Sequence, residues 1–290
     1  MKHNMRRLFL YAAVAVAFAS CSNDELNEPK FVADDGEIQL EMLHPGQLTR
    51  ATDTSFEAND SIGVYVTEAE TALQIGGNEV NNELFSYNGT SWTSKRKVYW
   101  NNGTHNIYAY YPYSKQVNDV KDFAFSVQED QSTQENYSLS DFLWASAQGV
   151  AASSSPVSMQ FSHKMSNVLV KLQKGENYDG SLPGNAEVYL YSTVTKAAID
   201  LSTGDVAKDN YAGTGTIRCL KKANDEYRAI VVPQSITSRR PLVEVIVGDV
   251  SYLMEGKISY KPGYRHTITV TLDKNPEKIK IEIGGEISGW

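Results

Sequence analysis

The sequence has 290 residues, with 27 Lys and Arg against 35 Asp and Glu for a formal net charge of −8; 41% of it is hydrophobic, with 17 Tyr and 2 Cys. That length can build the core of one large or two ordinary domains. The acidic balance repels phosphate backbones, and no Lys/Arg cluster interleaved with aromatics offsets it, so nucleic-acid binding is not expected.

Lys2, Arg6 and Arg7 form a basic start, and Leu8 to Ala19 is a run of 12 uncharged residues. Basic, then apolar, then small is the order of a secretory signal, and such a run is too short to cross a hydrocarbon core of about 30 Å as a helix. Phe18-Ala19-Ser20-Cys21 resembles the lipobox of bacterial lipoproteins, with Phe18 where leucine is usual. The resemblance implies a signal peptide over 1–20, acylation of Cys21 and attachment to the outer membrane through lipid, each buried acyl CH₂ contributing roughly 0.8 kcal/mol. An ordinary signal peptide with an incidental cysteine is the alternative. Without Lys2, Arg6 and Arg7 the chain carries 24 basic residues against 35 acidic, a net −11.

Ser22 to Glu37 is acidic, contains Pro29 and reads as a solvated tether. In "EIQLEM", Ile38, Leu40 and Met42 alternate with polar residues, the pattern of a half-buried strand. His44-Pro45-Gly46 ends it, and "QLTRATDTSF" places Arg50 in a polar stretch expected to be exposed.

Beyond that point, strand patterns recur with turn residues between them. "DSIGVYVTE" puts Ile62, Val64 and Val66 on one face, and Asn88-Gly89-Thr90 marks a hairpin-like span. "NIYAYYPYS" alternates Ile107, Ala109 and Tyr111 with Tyr108 and Tyr110. "TQENYSLSDFLWAS" has room for a turn or two of helix. In the final clear strand Tyr264, His266, Ile268, Val270 and Leu272 share a face. The expected fold is all-β and antiparallel, of sandwich type. "QGVAASSSP" and "KGENYDGSLPGN" are the loosest internal stretches, so a boundary is set at 158/159: residues 51–158 and 159–290 become two domains, preceded by a tether and first strand over 21–50.

Few residues are arranged for chemistry. His44, His105, His163 and His266 show no metal-ligand spacing, His163 and His266 read as core or edge residues, and no hydrolase, metalloprotease or phosphate-loop motif occurs. "DLSTGDV" has two aspartates but not the ligand pattern of a calcium loop, so it reads as a β-turn. Cys219 reads as a small buried hydrophobe. Neither a catalytic residue, a metal nor a cofactor is expected. An exposed aromatic shelf in "YAYYPYS" would favour a glycan-binding surface.

Several stretches together resemble the fimbrillins: the lipobox at Cys21, "NDSIGVYV", "VYW" with "NIYAYYPY", "DFLWASA", "FSHKMSNVLVKL", "YKPGYRHTITVTL" and a last strand ending in Trp290. The resemblance implies a pilus subunit of two tandem antiparallel β-sandwich, transthyretin-like domains. It also implies export as a lipoprotein, a cut after Arg50 with Ala51 as the new first residue, and polymerisation by strand exchange. The excised piece would include "EIQLEML". The candidate donor strand is "KIKIEIGGEISGW", with Ile279, Ile281, Ile283, Ile287 and Trp290 along one edge. The same residues also fit a final strand of their own domain. Implied partners are other pilus subunits and, through Cys21, a membrane. Alternatives are an anchor or tip subunit, or a non-polymerising surface lipoprotein that takes a glycan or host protein.

Overall fold

The structure, a computed structural model, describes residues 36–45, 55–274, 279–283 and 288–290. In chain order the elements begin β1 (Leu40–Leu43), β2 (Ser61–Glu68), β3 (Val80–Tyr87), β4 (Trp92–Ser94), β5 (Thr104–Tyr111) and β6 (Phe123–Ser126). The helix α1 (Gln134–Leu139) precedes β7 (Leu143–Ala151), β8 (Val157–Gln160), β9 (Ser162–His163) and β10 (Ser166–Lys174). Then come β11 (Glu187–Val194), β12 (Lys196–Asp200), β13 (Asp205–Lys208), β14 (Thr214–Arg218), β15 (Leu220–Ala223) and β16 (Glu226–Val231). The long hairpin β17 (Gln234–Val247) and β18 (Val250–Tyr260) leads to β19 (Tyr264–Leu272), β20 (Lys280–Ile283) and β21 (Ser288–Gly289).

The fold is almost entirely β. One sheet runs β4-β3-β2-β5-β7-β9, a second β15-β16-β10-β19-β20 with β21 also on β19, and a third β14-β11-β17-β18. Smaller sheets are β13-β12-β6 and β1-β8. Most pairs are antiparallel as expected, but β10 with β19 and β1 with β8 run parallel. Parallel neighbours need a long connection. These pairs join segments far apart in the chain, so local turn signals could not reveal them.

Period-2 alternation places Ile62, Val64 and Val66 of β2 in one core cluster with Ile107, Ala109 and Tyr111 of β5. The opposite face of the same sheet sends Tyr65, Tyr108 and Tyr110 into a second cluster, shared with Phe123, Phe142 and the β10, β16 and β19 strands. β5 is therefore buried on both sides. Tyr110 donates its hydroxyl hydrogen to Asn82 Oδ1 at 2.8 Å, and burial pushes that hydroxyl's pKa up. Of the tyrosines considered for an exposed shelf, Tyr113 is half-buried and Tyr108, Tyr110 and Tyr111 are core residues. They alternate around a central strand, and both of its faces are covered.

Strand pairing also crosses the 158/159 position: β6 pairs with β12, and β9 completes the sheet begun by β4 and β3. The helical turn expected around residue 137 is α1, capped by Thr133 Oγ1, which accepts the Asn136 N–H at 3.2 Å. The "DLSTGDV" stretch is the β12–β13 turn, where Asp200 Oδ1 accepts the Ser202 N–H. Cys219 is buried, and burial pushes its thiol pKa up. Within β19, His266, Ile268, Val270 and Leu272 face the core while Tyr264, expected to join them, is largely exposed at the strand's start.

Candidate functional site

The arrangement with the clearest functional content is a slot filled by residues 36–45. On one side Ile38 N–H donates to Val98 C=O (2.7 Å) and Trp100 N–H to Gly36 C=O (2.8 Å), with Lys97 Nζ 3.0 Å from the Glu37 carboxylate. On the other, β1 runs parallel to β8, with Val157 N–H donating to Gln39 C=O (2.8 Å) and Phe161 N–H to Leu43 C=O (2.9 Å). The segment thus bridges two backbones that do not pair with each other through it.

Its side chains follow the alternation read from the sequence. Ile38 and Met42 are 5% and 7% exposed, Leu40 packs partly beneath them, and Glu41 faces outward. They close the cluster of Ile62, Val98, Met159 and Phe161. Burying an Ile or Met side chain contributes about 1.5–3 kcal/mol each. Without the segment, the slot would present an apolar floor between unpaired N–H and C=O groups, which is how an open sheet edge recruits another strand.

At the end of the segment, His44 is buried against aromatic rings. It meets Phe56 edge-on at 4.9 Å and His163 edge-on at 5.8 Å. Phe56 in turn touches Trp92, Tyr111 and Phe161. A cavity of about 160 Å³ opens here, its wall including His44, Phe56, Asp60, Asp141, His163 and Trp290. His163 Nδ1–H donates to the Asp141 carboxylate at 2.8 Å, which sets its tautomer. Burial raises the Asp60 carboxyl above its ordinary pKa, partly countered by bonds from the Glu57 N–H and the Tyr111 hydroxyl.

Among the candidate donor residues, Ile281 and Ile283 lie in β20, opposite Val270 and Ile268 of β19, and Ile279 precedes them. All three pack on the larger core cluster while Lys280 and Glu282 face solvent. In this structure the segment is the edge strand of its own sheet. Trp290 N–H donates to Gly263 C=O at 3.0 Å, and its ring stacks on His163 at 3.9 Å and 11°. Cys21, Arg50, Ala51 and Ile287 lie outside the described residues.

Ile283 is held by a notch. Gly256 of β18 carries no Cβ, and one built there would overlap the Ile283 Cδ1 and stand 2.9 Å from Leu242 Cδ2. Leu242 is fully buried and cannot give way, so the tip of Ile283 must. Gly256→Val is therefore expected to unseat β20, with an overpacking cost of about 1–3 kcal/mol. Hydrogen exchange at Lys280–Ile283 should accelerate while β10 and β16 stay protected; a uniform fall in protection would make β20 inseparable from the core.

Sequence reasoning located Ile38, Met42 and the 279–283 isoleucines. It passed over Phe56, Gly256 and the pairing of His163 with both His44 and Trp290. None of these has a local signature, because each depends on segments that meet only in three dimensions.

The fold and the slot define an all-β, multi-sheet protein in which residues 36–45 are seated between two backbones. The chain belongs to the fimbrillin-like family, whose model matches residues 49–290. It is 28% identical over 195 residues to a Bacteroides ovatus protein provisionally named fimbrium tip subunit Fim1C, covering 59% of this chain but only 35% of that longer one. It is 24% identical to a Bacteroides uniformis protein provisionally named fimbrium subunit Fim1C, covering 95% of this chain and 91% of that one. In three dimensions it is similar to the crystal structure of a provisionally assigned cell adhesion protein from Bacteroides ovatus, with a TM-score of 0.70 at 23% identity, over 89% of this chain and 98% of that one. That last likeness concerns the fold alone.

Proposed function

We propose that the protein is a structural subunit of a cell-surface fimbrium, exported as an outer-membrane lipoprotein acylated on Cys21 and activated by a cut between Arg50 and Ala51. Removal of the preceding segment opens the slot, and an extended strand of a neighbouring subunit fills it. The observation that carries this reading is the seating of Ile38 and Met42 between two backbones, hydrogen-bonded on each side. A strand bound in that manner is replaceable by any strand with the same alternation. The donor of one subunit enters the slot of the next, a heterologous contact that repeats head to tail and builds an open filament.

Residues 279–290 serve as donor when they leave β19. The mature chain is organised as two tandem sandwiches, 51–158 and 159–290. This is supported by one core cluster drawn wholly from residues 38–161 and another drawn mainly from residues beyond 164. A tip role, in which the slot accepts but nothing is donated, is the second reading; the likeness to the relative named as a tip subunit and the docked state of β20 favour it.

N-terminal sequencing of the surface form decides between cut and uncut roles. A start at Ala51 is expected; a start at acylated Cys21 would make the protein an anchor and end the strand-exchange reading. An SDS-resistant ladder of that form is expected for a stalk subunit.

A further inference from the structure

We infer that His163 couples the slot to the 279–290 segment, so that emptying the slot loosens Trp290 from its seat. The inference rests on the strand-exchange reading for its purpose but not for its geometry. Among the described residues, His163 is the side chain in ring contact with both segments: His44 of the slot-filling strand meets it edge-on at 5.8 Å, and Trp290 stacks on it at 3.9 Å.

Two routes transmit the change. The first is through side chains. His44, His163 and Trp290 wall the same cavity, so loss of His44 opens that wall and lets water onto the His163 ring. An aromatic stack contributes beyond its buried area only while its orientation is held. Here the Asp141 carboxylate grips Nδ1 and the His44 ring limits the edge.

The second route is through backbone. His163 belongs to β9, a strand of two residues paired, among the described residues, with β7 alone. Two residues earlier, Phe161 N–H donates to Leu43 C=O of the slot-filling segment. Withdrawing the segment removes that bond and leaves β9 secured on one side. Gly263 adds to the link, because it stands at φ +71° with its Cβ position 3.0 Å from His163 C=O. The same Gly263 accepts the Trp290 N–H. A shift of β9 therefore reaches Trp290 by ring and by main chain together. Asp141 is a positioning residue in this scheme.

The consequence for assembly is order. A subunit with its own strand in place keeps Trp290 docked, and only a processed subunit frees the segment for donation. Thermodynamic linkage makes the effect reciprocal, so loss of Trp290 must loosen the slot-filling strand to the same degree.

The test uses the full chain and hydrogen exchange read by mass spectrometry. Ile38→Asp with Met42→Asp empties the slot without a protease. Exchange in the peptide carrying Ser288–Trp290 is expected to rise roughly 2- to 13-fold, the range that one aromatic contact spans. In His163→Ala that exchange should already be faster, and emptying the slot should add less than it does in the parent, because only the main-chain route is left. Conversely, Trp290→Leu should speed exchange at the Ile38 amide by a similar factor. If His163→Ala does not fold, Trp290→Leu alone carries the test, since it removes the stack and leaves β9 intact. Unchanged exchange at 288–290 after emptying, or an unchanged Ile38 amide in Trp290→Leu, overturns the coupling. Filaments that form normally without a cut at Arg50 would overturn the assembly reading while leaving these exchange rates as predicted.

Discussion

Arg50→Ala is expected to leave a lipidated, folded precursor on the cell and to abolish filaments. The physical reason is competition. While residues 36–45 remain tethered, they re-enter the slot at an effective concentration of about millimolar order, set by the short linker. A strand from another subunit arrives at its free concentration and must also displace the β1–β8 ladder, the main-chain bonds to Val98 and Trp100, and the Ile38 and Met42 side chains. The tethered strand wins that contest by mass action. Cutting the tether makes dissociation of the segment irreversible by dilution and reverses the outcome. The measurement is the surface form on gels run without boiling. A single band is expected from Arg50→Ala and a ladder from the parent; a ladder from both would show that the cut has no role.

Charging the filled strand should have nearly as large an effect by the opposite route. In Ile38→Asp with Met42→Asp, each carboxylate would be forced into a site lined by Val98, Met159 and Phe161, with no partner to offset its desolvation. Together with the lost apolar burial, about 1.5–3 kcal/mol for each side chain, this exceeds what a four-residue strand can retain. The segment is expected to leave while the rest stays folded, because the large core cluster does not include it. Far-ultraviolet circular dichroism should hardly change, and trypsin should cleave at Lys97, which pairs with Glu37 beside the slot. A synthetic peptide spanning residues 36–45 of the parent sequence should then bind and restore protection. Global unfolding of the double variant would mean that the strand is integral to the core, and strand replacement could not operate.

How far the sequence reached can be read from three places. The "EIQLEM" alternation foretold the burial of Ile38 and Met42, with Leu40 half-buried, because period-2 burial is a local property of an extended chain; it did not foretell the burial of His44. The isoleucines at 279, 281 and 283 were equally visible, but their alternation suits any apolar groove. Only the register with β19 and the notch at Gly256 show which groove they occupy here. The tyrosines of β5 illustrate the reverse. Alternation promised one covered face, and the second face joined a cluster of Phe123, Phe142 and strands from beyond residue 164, which no local pattern encodes.

By itself the sequence determined the all-β class and the burial of Ile38 and Met42, both of which follow from short-range alternation. A cut at Arg50, an anchor at Cys21 and removal of the first strand are what its resemblances to the fimbrillins and to a lipobox imply. The tertiary structure decided which backbones flank residues 36–45, that β1 and β19 lie in parallel pairs, and that His44, His163 and Trp290 meet. Such contacts depend on closing long loops, whose cost is met collectively by the whole core rather than by any one stretch of chain. If the floor beneath Ile38 and Met42 proved filled without them, no vacancy would remain for a neighbour to occupy.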